Sequence, residues 1–407
     1  MSASKISKLL NNAFGIKDVI LKYYELLDNN ILVFGCNPKA TIKKCSHCHS
    51  KDVQIKETKV RRLRMVSLGN LKCFLDITVH KFKCKNCGSS SWIKLPFACG
   101  KLPMTIAFVT YVLSMIKLGT VQAISLFLNL NWKTVKNIHK DCLSKKYKKI
   151  SYKDLTYLSM DEFSIKKGHK YMTIFLDIKT GRIVYAVEGR SIENISPFLQ
   201  KLAKKAHKLK AIAMDLSPPF ISAVEKYLPN VKIVFDHFHV TKIVNQALDE
   251  IRKKEWLKNN LSGEKKIGKG ERFLFFRNYE DMEETQKGKL DQLLKINKTL
   301  ATAYEMKEQF RTFWGKGSKQ EGAKFLCQWI FTAVQSGIPT LAKVGKTFLR
   351  HYEGLLNYFD HRISNGKIEG INNKIKVQKR CGYGYRDIEY FTLLLYDLHK
   401  KTIGLVA

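Results

Sequence analysis

Acidic residues are scarce in this sequence: 35 Asp and Glu stand against 72 Lys and Arg among 407 residues, a formal net charge of +37. That excess goes far beyond what solubility requires. The basic residues recur from end to end, which excludes a neutral enzyme carrying one basic tail. A polyanion is the expected partner, and nucleic acid is the first candidate. A codon bias toward Lys would explain Lys outnumbering Arg, but it leaves the shortage of acids unexplained. A long apolar run is missing too. The most apolar window, residues 106–116, contains Thr and Ser and is too short to span a bilayer. The first ten residues are polar and Lys-rich, without the apolar stretch and cleavage site of a secretory leader. A soluble, intracellular protein with no membrane partner is expected. The length leaves room for two to four domains, and the apolar content of 45% is ample for a sizeable core.

Cysteine is present, in a pattern. Cys45-x-x-Cys48 and Cys84-x-x-Cys87 are two paired knuckles with 35 residues between them. In a reducing compartment such pairs point to a metal rather than to disulfides. A CxxC turn brings two thiolates to one ion, and a second turn completes the four soft ligands of tetrahedral Zn2+. Gly88 follows the second knuckle, where a turn calls for positive φ. Strands over residues 31–34, 59–65 and 71–82 would make the segment a zinc ribbon. His47 and His49 are alternative ligands, although four cysteines suffice. Cys36, Cys73 and Cys99 lack paired partners and read as core residues.

From Pro103 the apolar spacing becomes helical. The pattern predicts helices over residues 104–118, 121–128 and 132–147, with Thr120 capping the second and a turn at Asn129-Leu130-Asn131. The third carries Lys133, Lys136, Lys140, Lys145 and Lys146. A short helix, a tight turn and a basic helix fit a helix-turn-helix that enters the major groove. A three-helix bundle with a solvated basic face is the plain alternative; the surrounding sequence favours DNA binding.

Three short stretches each present a carboxylate suited to a metal ion: Asp161 in Y-L-S-M-D-E-F-S-I-K-K, Asp215 in A-I-A-M-D-L-S-P-P, and Glu369 in S-N-G-K-I-E-G-I-N-N-K-I-K. Strands are predicted over residues 156–165, 170–178 and 182–188, then a helix over 193–207, a strand over 209–214 ending at Asp215, a helix over 218–227 and a strand over 231–235 ending at Asp236. A three-strand meander followed by αβαβ is the order of an RNase H-like core. Ligands in such sheets gather at the carboxyl ends of strands. Hard divalent cations take oxygen ligands from a converging set of this kind, and a pair of them serves in-line displacement at phosphorus. Asp177 precedes a turn and reads as structural. Asp236 is read as an auxiliary to the site. A long helical region up to about residue 358 reads as an insertion.

These motifs together resemble the ISL-three family of insertion-sequence transposases. The residues that carry the resemblance are D161-E-F-S-I-K-K-G-H-K-Y, D215-L-S-P-P-F, F235-D-H-F-H-V and S364-N-G-K-I-E-G-I-N-N-K-I-K with R380-C-G-Y-G-Y, and it runs from about Asp18 to Leu398. It implies an α+β multidomain protein: a zinc-ribbon domain (1–100), a helix-turn-helix (101–150), the first part of an RNase H-like core (151–240), an α-helical insertion (241–358) and the rest of the core (359–407). It also implies a DDE transposase in a bacterial cytoplasm, acting on double-stranded transposon ends and target DNA as a homodimer or larger assembly. Asp161, Asp215 and Glu369 would be catalytic and hold two Mg2+ or Mn2+ ions, with one structural Zn2+ elsewhere. Lys166, Lys167, Asn365, Asn372, Lys376 and Arg380 would lie around bound DNA. Asp236, His237 and His239 would be auxiliary, His237 standing where an Arg or Lys is expected. The competing functions are a non-catalytic DNA-binding derivative, a structure-specific nuclease with the same core, and an RNA-binding zinc protein. The last gives the three carboxylates no role.

Overall fold

The computed structural model describes residues 3–39, 44–166, 170–262 and 271–400. They fall into two compact units that meet in sequence at Lys145 and Lys146.

The first unit begins with α1 (Ala3–Phe14), followed by β1 (Val19–Leu27), β2 (Ile31–Pro38), β3 (Val53–Arg64), β4 (Lys72–Cys84) and β5 (Ser90–Trp92). The sheet order is β1-β2-β4-β3, with β5 added on β4; β2 and β4 run parallel and the other pairs antiparallel. Ile6, Leu10 and Phe14 recur every four residues, so one face of α1 closes the sheet's core with Leu63, Leu75 and Ile77. Neither α1 nor β1 was expected, because the Lys-rich composition of the start hid that spacing. Cys36 and Cys73 lie buried in this core, as expected.

Three helices follow: α2 (Ile106–Met115), α3 (Val121–Leu128) and α4 (Trp132–Lys146). Their core is Phe108, Val112, Ile124, Leu128, Val135 and Ile138. Thr105 and Thr120 cap the first two by accepting from the N–H groups of Phe108 and Ala123 at 3.2 and 3.1 Å. Asn129, at φ 51°, ends α3 in the left-handed region. α2 starts later than the expected residue 104. Residues 103–105 are extended there, Arg64 N–H bonding Pro103 O and Thr105 N–H bonding Arg64 O.

The second unit is built on β6 (Tyr157–Lys166), β7 (Lys170–Asp177), β8 (Arg182–Glu188), β9 (Ala211–Met214) and β10 (Lys232–Phe235), with α5 (Ile192–Lys205) and α6 (Pro218–Tyr227) as crossovers. The order is β10-β9-β6-β7-β8; β6, β9 and β10 are parallel, and β7 is antiparallel to both β6 and β8. A mixed α+β architecture is thus established. The remaining helices are α7 (His237–Ser262), α8 (Arg272–Phe276), α9 (Glu284–Ile296), α10 (Lys298–Arg311), α11 (Lys319–Gln335), α12 (Pro339–Arg350), α13 (Tyr352–His361), α14 (Gly366–Cys381) and α15 (Ile388–Asp397). None of the described helices is long and apolar enough to cross a membrane.

Strand alternation sorts the two faces of this sheet. Leu158, Met160, Phe175 and Ile212 pack with Phe198 and Leu199 of α5 and Val224 of α6, in a core that continues through Phe310, Trp329 and Phe348 of the helical segment. On the opposite face Ile165, Ile174 and Ile183 pack against Ile368, Ile371 and Ile375 of α14 and Phe391 and Leu395 of α15. Ser159 and Asp161, out of phase with Leu158 and Met160, therefore face α14. Asp177 is buried and bonds the Lys179 N–H and the Thr180 hydroxyl, the structural turn role read from the sequence.

The helical segment reaches the end of β10 through α13. A Cβ on Gly354 would stand 2.2 Å from the Phe235 ring, one residue before Asp236. Gly354→Ala is therefore expected to destabilise the second unit by about 1–3 kcal/mol, the usual cost of overpacking. Urea unfolding followed by tryptophan fluorescence measures it; an unchanged midpoint would mean that the ring moves freely.

Candidate active site and metal centres

Register brings three carboxylates abreast. Ser159 pairs with Ala213 across β6 and β9, and Phe235 pairs with Met214 across β10 and β9. The Asp236 N–H extends that ladder to Met214 O at 3.0 Å. Two residues on from Ser159 and Ala213 come Asp161 and Asp215; one residue on from Met214 and Phe235 come Asp215 and Asp236. Neighbouring strands stand about 4.8 Å apart, so like charges are forced together at the sheet's carboxyl edge. Burial, and then the Asp215 charge, push Asp161 up to about 6, against the lowering effects of the Glu162 N–H, Asn372 and His239.

Asp236 is buried and ends β10 where α7 begins. Burial alone would raise it, but hydrogen bonds from His239 and the Asn365 N–H, with the charges of His237 and His239, bring it below the usual carboxylate range. His239 Nδ1 lies 3.0 Å from Asp236 Oδ2 and 2.8 Å from Asp215 Oδ1. One N–H cannot align with both. The aligned bond goes to Asp236, and buried Asp215 Oδ1 is left with a close ion pair to the same nitrogen in place of an aligned hydrogen bond. Contacts with Asp215 and then Asp236 raise His239 to about 10, and a metal ion bound among these groups would displace that proton. Donor atoms of Asp215, Asp236 and His239 lie within 4.8 Å of one another. An oxygen-rich set with mutually repelling carboxylates and a buried oxygen lacking an aligned hydrogen bond suits a hard divalent cation.

Glu369 enters on α14. The helix starts at Asn365, which is 4% exposed, donates its backbone N–H to Asp236 Oδ1 at 3.1 Å and accepts the Ser159 hydroxyl through Oδ1. Two turns later Asn372 Nδ2 donates to Asp161 Oδ2 at 2.6 Å. Glu369 sits between them, one turn from each and on the same helix face, with an exposed side chain. Its carboxylate is not in the group formed by Asp215, Asp236 and His239.

In the first unit, Cys45 and Cys87 Sγ atoms are 3.6 Å apart and those of Cys48 and Cys84 are 3.5 Å apart. Zn–S bonds of about 2.3 Å in a tetrahedron give edges of about 3.8 Å, so the four sulfurs fit one Zn2+. N–H groups of Cys48 and His47 lower the Cys45 thiol to about 6. Cys87, although the Ser89 N–H lowers it, is pushed up to about 12 by the sulfurs around it, a repulsion that a cation relieves. The knuckles share a backbone: His49 N–H returns to Cys45 O as Gly88 N–H returns to Cys84 O, with φ 58° and 71°. His49 thus occupies the place of the turn glycine, and Cys45, Cys48, Cys84 and Cys87 form the donor group without either histidine.

Residues 158–395 match the ISL3 transposase family. The chain belongs to the ISL3 family of insertion-sequence transposases. Its curated relatives include the transposase for insertion sequence element IS1001 of Bordetella parapertussis, 30% identical over 361 residues and 88% of each chain. Another is the transposase for IS1557 of Mycobacterium tuberculosis, 26% identical over 398 residues, 91% of this chain and 89% of that one. Among solved structures, the Drosophila P element transposase strand transfer complex aligns at a TM-score of 0.36 and 10% identity over 78% of this chain and 95% of that one, too weak a likeness to argue from.

The other residues singled out in this ISL3 chain are scattered in environment. Lys133 is exposed on α4, while Lys136, near the Trp132 ring, and Lys140 are half-buried. Lys166, Lys376 and Arg380 are exposed; Lys167 lies outside the described residues. Asn365 is a correction: buried and bonded to Ser159 and Asp236, it is not available to a DNA surface. Asn372 is half-buried and bonds Asp161. Sequence reasoning missed Ser159, although it stands two residues before Asp161 on a strand and so had to share its face.

Metal analysis of the purified chain is expected to give one zinc per molecule. Cys84→Ser should lose it, whereas His49→Gly should keep it and shift stability by less than about 1 kcal/mol. Zinc lost with His49→Gly would make that histidine a ligand.

Proposed function

We propose that this transposase binds the terminal inverted repeats of its element and carries out metal-dependent 3′-end cleavage and strand transfer on double-stranded DNA. The observation that carries the reading is the convergence of Asp161, Asp215 and the Glu369-bearing helix at one sheet edge, in a chain of net charge +37. The β10-β9-β6-β7-β8 order supports an RNase H-like core, with the helical segment over residues 241–358 as its insertion. The knuckles and their sheet support a zinc ribbon, and α2 to α4 support a helix-turn-helix whose Lys133, Lys136 and Lys140 meet DNA. The domain limits are those that the sequence predicts. Bringing two ends together favours a dimer or larger assembly.

Asp161, Asp215 and Glu369 would hold two Mg2+ or Mn2+ ions, and Asp236 with His239 would support Asp215. Such ions polarise an attacking oxygen and stabilise the leaving one. The protein's share is positioning. Strand register sets the spacing of Asp161 and Asp215, and α14 delivers Glu369 to the same face. Exposed Lys166, Lys376 and Arg380 are available to phosphate oxygens. Water would attack the phosphodiester at the element end, and the freed 3′-OH would then attack target DNA, with no covalent protein intermediate.

The test is nicking of DNA that carries the element's own terminal repeats. Wild type with Mg2+ or Mn2+ should cut at the repeat ends. Asp161→Asn, Asp215→Asn and Glu369→Gln should each lose more than about a hundredfold in rate, exceeding the loss typical of a residue that only supports a ligand. Repeat binding should survive. A protein that binds but never cuts would favour the DNA-binding derivative, and preference for branched over repeat DNA would favour a structure-specific nuclease. Replacing Lys133, Lys136 and Lys140 with Ala should weaken repeat binding and flatten its salt dependence, by about one unit of slope for each lysine that pairs with a phosphate. Unchanged binding would move recognition away from α4.

A further inference from the structure

Asn372 has an environment unlike its neighbours on α14. Asn373, Lys374 and Lys376 are exposed; Asn372 is half-buried, and its Nδ2 donates to Asp161 Oδ2 at 2.6 Å. The other oxygen, Asp161 Oδ1, accepts the Glu162 backbone N–H at 2.7 Å. The carboxylate is thus oriented by one donor from its own strand and one from the helix that carries Glu369. Asn365 makes the matching contact two turns earlier, to Ser159. Asn365 and Asn372 fasten the helix to alternate residues of β6 on either side of Glu369, and Lys379 bonds Ser164 O further along the strand. Asn372 Oδ1 is buried and has no hydrogen-bond partner among the described residues.

We propose that Asn372 is a positioning residue that orients Asp161 for a divalent cation, rather than a contact to the DNA backbone. The inference rests on the reading of Asp161 as a metal ligand. An amide suits the task where charged groups do not. Aspartate at this position would add another negative charge to a crowded edge, and lysine would form a fixed ion pair with Asp161 and compete with the cation. A neutral N–H donor holds one carboxylate oxygen in place and leaves the charge available. The same amide couples Asp161 to the Glu369 helix, so a shift of α14 would disturb both carboxylates together.

The experiment is a calorimetric titration of Mn2+ into the full chain with its zinc retained, comparing wild type, Asp161→Asn, Asn372→Ala and Asn372→Leu. Fluorescence anisotropy of repeat DNA is measured on the same proteins. Leucine keeps the branching and heavy-atom count of asparagine and favours the helix more than asparagine does, which guards against simple loosening of α14. The Mn2+ binding that disappears in Asp161→Asn should weaken about 10–100-fold in both Asn372 variants, the loss typical of outer partners of metal ligands. The Mn2+ concentration for half-maximal nicking should rise by a similar factor, while repeat affinity stays within about twofold of wild type. Wild-type Mn2+ affinity in both variants would overturn the proposal, and a loss of repeat affinity alongside it would restore Asn372 as a DNA contact. If Asp161→Asn binds Mn2+ as wild type does, the ligand assignment itself falls and takes this inference with it.

Discussion

Carboxylates held side by side on neighbouring strands repel one another, and much of the second unit's architecture answers that repulsion. The ladders of β6, β9 and β10 fix Asp161, Asp215 and Asp236 abreast, whatever their charges prefer. Each then has its own support. Asp161 takes two N–H donors and still sits near 6. Asp236 takes the Asn365 N–H and His239, at the start of α7 where the helix dipole also favours negative charge. Asp215 has the His239 ion pair at 2.8 Å but no aligned hydrogen bond at that oxygen. The sheet therefore supplies closeness, the helices supply compensation, and the compensation is incomplete at Asp215 and Asp161. That shortfall is what a cation would make up.

The same contrast holds for the chain as a whole. Its positive charge would draw a polyanion from any direction, but a phosphate reaching the Asp161–Asp215 edge meets negative charge. Basic residues alone would bind DNA without acting on it, and acidic residues alone would repel it. Exposed Lys166, Lys376 and Arg380 lie on the two elements that carry Asp161 and Glu369, so attraction and the acidic edge share their supports.

Strand and helix order were legible because local patterns carried them. The β6–β7–β8 meander, the parallel β9 and β10, and the Thr120 cap are set by alternation, turn residues and one hydroxyl within reach of its own helix. The carboxylate row followed from strands ending at Asp215 and Asp236. What escaped was set by distant contacts. Asn372 and Asp161 are 211 residues apart, and Asn365 and Asp236 are 129 apart. An asparagine in a Lys-rich helix reads as a surface donor until the strand it touches is known. His239 appeared merely auxiliary because only the folded sheet end puts Asp215 and Asp236 on either side of one nitrogen.

Helix α14 shows why one short stretch carries so much of the signal. A 3.6-residue period gives it separate faces. Ile368, Ile371 and Ile375 bury one against the sheet, while Asn365 and Asn372 turn another toward β6, with exposed Glu369 between them in sequence. Lys374 and Lys376 remain exposed. The isoleucines press the helix onto the sheet, but apolar contact is non-directional and does not aim the polar side chains beside them. The polar bonds do that, those of Asn365 and Asn372 together with Lys367 to Ile178 O and Lys379 to Ser164 O, since each bond has a preferred length and angle. Glu369 makes no such bond of its own, so its position depends on how firmly Asn365 and Asn372 hold the turns on either side. A carboxylate kept for a ligand cannot also anchor its own helix, and on α14 that work falls to the amides one turn away and to Lys367 and Lys379.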